Sequence, residues 1–159
     1  MAHPEFPHRE DLLYLNHAAV APWPARSRDA VAEFARQNCE IGARDYPHWL
    51  KVEQRLRERL SWLIGGVSID EIALLKNTSE GLSVIAQGID WQAGDQIVIS
   101  DQEFPSNRIP WEALADQGVG VIAVSLDTPE PEQAGIDALG PRTRLGSLSA
   151  LHSGTGLLM

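Results

Sequence analysis

Residues 96–125 read QIVISDQEFPSNRIPWEALADQGVGVIAVS, and this stretch decides the fold class. Gln96–Ser100 and Gly120–Ser125 are short, mostly apolar runs beside turn residues, which is typical of buried strands. Between them the residues predict a helix over Asn107–Gln117, with a proline in or near its first turn. Because strand, helix and strand follow one another, we expect two parallel strands covered by the helix.

The same alternation extends to both sides of this stretch. Glu71–Lys76 is a short, mostly apolar run that predicts a further buried strand, and Thr78–Ile89 carries apolar residues on one helical face. Arg144–Ser149 predicts a last strand. From about position 70 onward the residues therefore predict an α/β fold with a parallel sheet.

The amino-terminal part departs from this pattern and predicts a helical arm. An irregular, proline-rich stretch comes first, followed by helical spacing over Ala25–Asn38 and over His48–Ile64. We therefore expect two segments, residues 1–66 with the arm and two helices, and residues 67–159 with the α/β part. Since the chain stops on apolar residues soon after a predicted strand, residues 67–159 are expected to be the first part of a truncated larger domain.

The composition excludes several classes of function. The chain has 159 residues, 13 of them basic and 22 acidic, and a formal net charge of −9. Nucleic-acid or anionic-membrane binding is not expected, because both need a positive surface. There is no signal-peptide pattern and no apolar run of the ~20 residues that span a bilayer, so a cytoplasmic protein is expected. The single cysteine, Cys39, and the lack of histidine pairs at ligand spacing predict no metal site.

Residues 76–83, KNTSEGLS, form the most informative local motif. A polar turn leads into a predicted helix, whose first backbone N–H groups and positive dipole end suit an anion such as phosphate. The alternative is helix capping without a ligand, with Asn77 and Glu80 as a variant capping box. On the local residues alone capping is favoured, because caps are far commoner than phosphate sites.

A second motif, DQEFPSNRIPW at residues 101–111, directly follows a predicted strand. Loops at the carboxyl ends of parallel strands are where α/β folds bind ligands, so this loop and the turn at 77–81 are expected to converge. Phe104 could lay its ring on a planar ligand, or it could be an ordinary core side chain.

Three motifs in order resemble a known family: Tyr14–Ala19 (YLNHAA), Asn77–Gly81 (NTSEG) and Glu103–Asn107 (EFPSN), the last followed by Pro110 and Trp111. They resemble class V aminotransferase-fold enzymes, which use pyridoxal 5′-phosphate (PLP) and include cysteine desulfurases, selenocysteine lyases, isopenicillin-epimerase-like proteins and aminotransferases. The resemblance implies PLP-dependent transferase fold type I, with a parallel-rich sheet and helices on both faces. It also implies an amino-acid substrate and a homodimer in the full-length parent.

Site residues follow from the resemblance alone. It implies that Thr78 and Ser79 hold the cofactor phosphate, and that Phe104 stacks on the pyridine ring where desulfurases usually have histidine. Asn107 would order the loop. The predicted cofactor-binding set is Thr78, Ser79, Glu80, Phe104 and Asn107. The predicted substrate-proximal set is Asn16, His17 and Ala18. The region of His152 and Ser153 would reach the ring substituents, and no role is assigned there.

The positions of the lysines bear on whether the chain can bind the cofactor covalently. The sequence has two, Lys51 and Lys76, and neither stands where the family places its Schiff-base lysine. We therefore expect the amino-terminal segment of a PLP enzyme that carries phosphate and ring contacts but lacks the Schiff-base lysine, with no catalytic residue assigned. Phenylalanine at 104 stacks without moving a proton, which favours an aminotransferase-like or epimerase-like parent over a desulfurase. The alternatives are a non-catalytic phosphate-ligand binding domain and an inactive remnant.

Overall fold

The computed structural model describes residues 3–17 and 20–159, which fall into two compact units, Met1–Leu74 and Leu75–Met159. The first unit contains helices α1 (Ala25–Ile41) and α2 (Tyr46–Leu63) and a 3-10 turn at Ile69–Glu71. The second contains, in chain order, α3 (Thr78–Gly88), β1 (Gln96–Ser100), α4 (Ile109–Glu112), β2 (Gly120–Val124), α5 (Pro131–Asp137) and β3 (Thr143–Ser147). Within the described ranges, no helix combines the length and apolarity needed to cross a membrane.

The two helices expected in the first unit are confirmed. Pro24 directly precedes α1, where its missing N–H and restricted φ suit a helix start. Gly42, with a φ of 57°, ends α1 and donates its N–H to the Asn38 carbonyl. Many apolar side chains on α1 and α2 keep about half or more of their surface exposed, among them Val31 and Trp62.

The second unit is built on a parallel sheet of strand order β2-β1-β3, which confirms the α/β prediction. Strand β1 has the bounds that the sequence predicts and pairs in register with β2, from Gln96 opposite Gly120 to Ser100 opposite Val124. As the central strand it is covered on both faces, and Ile97, Val98 and Ile99 are at most 1% exposed.

The strand expected over Glu71–Lys76 is wrong, since the described part of the chain forms a sheet of three strands that does not include it. A capping box begins a 3-10 turn instead: the Ser68 N–H donates to Glu71 Oε2 at 2.9 Å. The Ile72 carbonyl then accepts from the Arg57 guanidinium rather than from a neighbouring strand. An apolar run becomes a strand only when a partner strand satisfies its backbone, and here side chains do so.

The helix expected over Asn107–Gln117 is also wrong as a continuous element. The chain forms a 3-10 turn at Pro105–Asn107, the single-turn helix α4 and another 3-10 turn at Ala115–Gln117. Pro110 lacks the N–H that a continuous helix would use, and Arg108, at φ −123°, separates the first two elements.

Helix α5 is not among the elements expected from the sequence. It begins with Pro131 in its first turn and lasts seven residues. The core of the second unit lies around β1 and consists of Ala86, Ile97, Ile99, Trp111, Leu114 and Val119.

Candidate functional site

The amino terminus of α3 is a well-capped helix start. Asn77 is extended, and its Oδ1 accepts the Glu80 N–H at 2.9 Å. Glu80 Oε2 in turn accepts the Lys76 N–H at 2.8 Å. The predicted capping is therefore confirmed. It leaves Thr78 and Ser79 exposed as the first two residues of the helix, where their N–H groups have no acceptor within the helix.

The loop that follows β1 meets this helix start. The Ser79 hydroxyl donates to Ser106 Oγ at 3.0 Å, across 27 positions of sequence. An open depression of about 270 Å³ lies beside this contact, lined by residues of α3 and α4 together with Pro105 and Ser106. The predicted convergence of the turn at 77–81 and the loop at 101–111 is therefore confirmed.

Phe104 lies in that loop with 61% of its surface exposed. Its alternative interpretation as an ordinary core phenylalanine is therefore wrong. Its φ of −64° and ψ of 146° are extended, and its carbonyl accepts the Asn107 N–H at 2.8 Å, closing the 3-10 turn after it. The Phe104 ring is thus largely exposed, while the backbone that carries it is held by a hydrogen bond.

Asn107 differs from the other predicted cofactor residues because its side chain is buried, at 9% exposure. Its Nδ2 donates to the Ser147 carbonyl at 3.2 Å, and its Oδ1 accepts the indole N–H of Trp111 at 3.1 Å. The Ser147 hydroxyl also donates to Oδ1. These contacts tie the loop after β1 to the end of β3, and a contact with the cofactor itself stays a prediction.

Glu103 is a residue that the sequence reasoning did not single out. It is 8% exposed, and both carboxylate oxygens accept from one residue: Oε1 from the Ser149 N–H at 2.7 Å and Oε2 from the Ser149 hydroxyl at 2.6 Å. Its place three residues after a predicted buried strand was a possible signal, because an acid that is buried there requires hydrogen-bond partners. Ser149, 46 positions away, gives no such signal.

The predicted substrate-proximal residues belong to the first unit. Asn16 and His17 are exposed, and the His17 ring lies edge-on to the Tyr14 ring with centroids 5.1 Å apart. The Tyr14 hydroxyl donates to the carbonyls of Asn16 and Val20. Ala18, the third predicted residue, lies outside the described residues.

His152 and Ser153 lie in the last segment of the second unit. His152 is 2% exposed, and neither ring nitrogen has a hydrogen-bond partner. Its backbone N–H donates to the Leu157 carbonyl at 2.9 Å, within a short antiparallel bridge. Ser153 is exposed.

Comparisons with known proteins identify the family that the chain resembles. Residues 13–159 match the model of the aminotransferase class-V family. A probable cysteine desulfurase of Methanothermobacter thermautotrophicus is 31% identical over 157 residues, covering 96% of this chain and 39% of the relative. A cysteine desulfurase of Escherichia coli is 34% identical over 113 residues, covering 65% of this chain and 27% of the relative.

Solved structures show the same fold. The cystine C–S lyase C-DES, in complex with its reaction product cysteine persulfide, superposes with a TM-score of 0.81 at 25% identity, covering 92% of this chain and 40% of that one. A lysine-to-alanine mutant of C-DES, with glycine covalently linked to its PLP cofactor, gives 0.85 at 24% identity, covering 94% and 41%.

The α/β fold built on a parallel sheet is thus one that PLP-dependent enzymes share. The chain belongs to the aminotransferase class-V family. It spans about two fifths of the length of the first relative and of these structures.

Proposed function

We propose that this chain provides the phosphate-binding and ring-contacting part of a PLP site in an enzyme that acts on an amino acid. The hydrogen bond between Ser79 and Ser106 carries the proposal, because it brings the start of α3 beside the loop that presents Phe104. Family membership and a PLP-bound structure among the similar folds support the choice of cofactor.

The residues at the start of α3 fit a phosphate. Thr78 and Ser79 offer two backbone N–H groups, the Thr78 hydroxyl and the positive end of an 11-residue helix, all exposed to an incoming anion. The Ser79 hydroxyl, which donates to Ser106 in the ligand-free chain, would turn to the anion. Glu80 is engaged in capping, so its proposed part is to hold this turn in shape. Phe104 offers an uncovered aromatic face for a planar ring.

When bound, PLP supplies an electron sink for bond breaking at the α-carbon of an amino acid. The proposed work of this chain's residues is binding and orientation. Phe104 is proposed to contact the ring without accepting or donating a proton, so proton transfer at the substrate falls to other groups of the site. Asn16 and His17 are proposed to lie on the substrate side, on the strength of the resemblance. A homodimer is proposed for the full-length parent on the same basis, and the cytoplasm, expected from the sequence, is proposed as its location.

Neither lysine of the sequence is proposed to bind the cofactor covalently. The Lys76 side chain is 74% exposed, and its Nζ lies 3.5 Å from Glu80 Oε1, within the capping turn. Lys51 lies exposed on α2. Binding of PLP by this chain is therefore proposed to be non-covalent.

Calorimetry with PLP, pyridoxal, inorganic phosphate and AMP tests the proposal. We expect PLP to bind more tightly than the other three, because only PLP joins a phosphate to a pyridine ring. Ser79→Ala should weaken PLP about tenfold through one lost hydrogen bond to a charged group. Phe104→Ala should weaken it about three- to tenfold.

Ile136→Ala is the matched control for Phe104→Ala, since it also removes an exposed apolar side chain in the second unit, on α5. Borohydride treatment with PLP followed by intact-mass measurement should show no stoichiometric adduct at Lys51 or Lys76. Preference for AMP over PLP would instead support a phosphate-ligand binding domain. Failure to bind PLP at all would refute the proposed function.

A further inference from the structure

Phe104 is flanked by two buried polar side chains that reach the same distant segment. Glu103 precedes it and binds Ser149, while Asn107 follows it by three positions and binds Ser147. Ser147 ends β3, and Ser149 comes two residues later. The loop that carries the exposed ring is thus tied on both sides to the end of a neighbouring parallel strand.

The backbone explains how one loop holds a buried acid beside an exposed ring. Phe104 has polyproline-like backbone angles, and the side chains of consecutive residues on such a backbone point in different directions. Glu103 therefore points inward, with 8% of its surface exposed, while Phe104 points outward, with 61% exposed.

Packing alone would not call for a carboxylate at position 103. A buried acid is expensive to desolvate, and an apolar side chain of similar size would pack with less penalty. The carboxylate instead matches the two donors of Ser149, its N–H and its hydroxyl, which would otherwise lack these partners. This arrangement fixes the loop in one register against the end of β3.

We propose that Glu103 is a positioning residue for the cofactor site. Its two hydrogen bonds with Ser149, called the clamp below, act together with Asn107 to hold the loop so that the Phe104 ring keeps one orientation. The inference rests on the proposed function, because it is PLP that the ring would contact. A pre-ordered loop loses less conformational entropy on binding, so the clamp raises affinity without touching the ligand.

Hydrogen exchange of the ligand-free chain tests the clamp, and PLP binding tests its purpose. In Glu103→Ala the Ser149 amide should exchange about tenfold faster or more, because its acceptor is gone. The dissociation constant for PLP should rise about tenfold, and the circular dichroism band of bound PLP should weaken as the ring loses its fixed orientation. Glu103→Gln should restore most of the slow Ser149 exchange and most of the PLP affinity, since its side-chain carbonyl still accepts the Ser149 N–H.

Ser149→Ala removes the hydrogen bond from the Ser149 hydroxyl to Glu103 and keeps the one from the Ser149 N–H. It should raise the exchange rate and the PLP dissociation constant by less than Glu103→Ala does. It keeps the test decisive if Glu103→Ala fails to fold. Glu112→Ala, which breaks only an exposed ion pair with Arg108, is the matched control and should change neither measurement.

Three outcomes would overturn the inference. Unchanged Ser149 exchange in Glu103→Ala would show that the clamp does not order the segment. Faster exchange with unchanged PLP affinity and dichroism would reduce Glu103 to a structural residue. If the unmodified chain binds no PLP, the proposed function fails and the positioning role with it, while the exchange data still decide whether the clamp exists.

Discussion

Replacing Asn107 with alanine should destabilise the second unit strongly, because the side chain serves three partners. Its Oδ1 accepts the indole N–H of Trp111, which is 1% exposed and could not turn to water instead. That orphaned donor costs about 1–3 kcal/mol. The Ser147 carbonyl and hydroxyl also lose a partner, but Ser147 is only half-buried, so water limits that loss to about 1 kcal/mol. We expect a total of about 2–4 kcal/mol.

Native-state hydrogen exchange of the β1 amides is the suitable assay, because it reports the opening of the second unit by itself. The amides of Ile97, Val98 and Ile99 lie in the central strand and should exchange roughly 30-fold to several hundred-fold faster in Asn107→Ala. Gln117→Ala, at an exposed position in the same connection, is the control and should stay within about 0.5 kcal/mol.

A double-mutant cycle with Trp111→Phe tests the stated cause. In that background the indole donor is absent, so Asn107→Ala should cost about 1–2 kcal/mol less than in the unmodified chain. Less than a threefold change in β1 exchange for Asn107→Ala, or an unchanged cost in the Trp111→Phe background, would refute the reasoning.

Two further predictions concern other parts of the chain. Gly118→Ala should destabilise the second unit by about 1–3 kcal/mol in urea unfolding, because φ is 80° and a Cβ would lie 3.1 Å from the Ala93 Cβ. Gly88→Ala, with open space around it, is the control and should not be destabilising. A hydrogen bond from Arg36 holds the Glu33 pKa at about 2, below its usual 4.5. The ionised Glu33 carboxylate therefore stabilises α1 above pH 4.5, and this contribution is lost as the pH falls from 4.5 to about 2. In Arg36→Gln, carboxyl NMR titration should show that pKa moving back toward 4.5, and an unchanged value would contradict the assignment.

Elements with a strong local signal were predictable from the residues alone. Gln96–Ser100 is a mostly apolar run, and it forms the central strand with the expected bounds. Thr78–Gly88 combines an Asn77 cap with helical periodicity, so both its start and its type follow from neighbouring residues.

Elements whose formation depends on distant partners were mispredicted. Glu71–Lys76 has a strand-like composition, yet a guanidinium from α2 satisfies the Ile72 carbonyl and no strand pairs there. The connection after β1 has helical spacing, but Pro110 and the buried contacts of Asn107 divide it into short turns. Composition does not report these partners, since they lie from 4 to 40 positions away.

The sequence by itself determined the α/β class, the parallel sheet, the capped helix start at Asn77 and the three motifs that identify the family. These properties depend on residue type and on spacing within short windows, which a chain carries before it folds. Only the tertiary structure decided that Ser79 meets Ser106, that Phe104 is uncovered, and that Glu103 and Asn107 anchor its loop to the end of β3. These contacts join residues 27 to 46 positions apart, and buried polar groups find such partners only when the sheet brings its strand ends together.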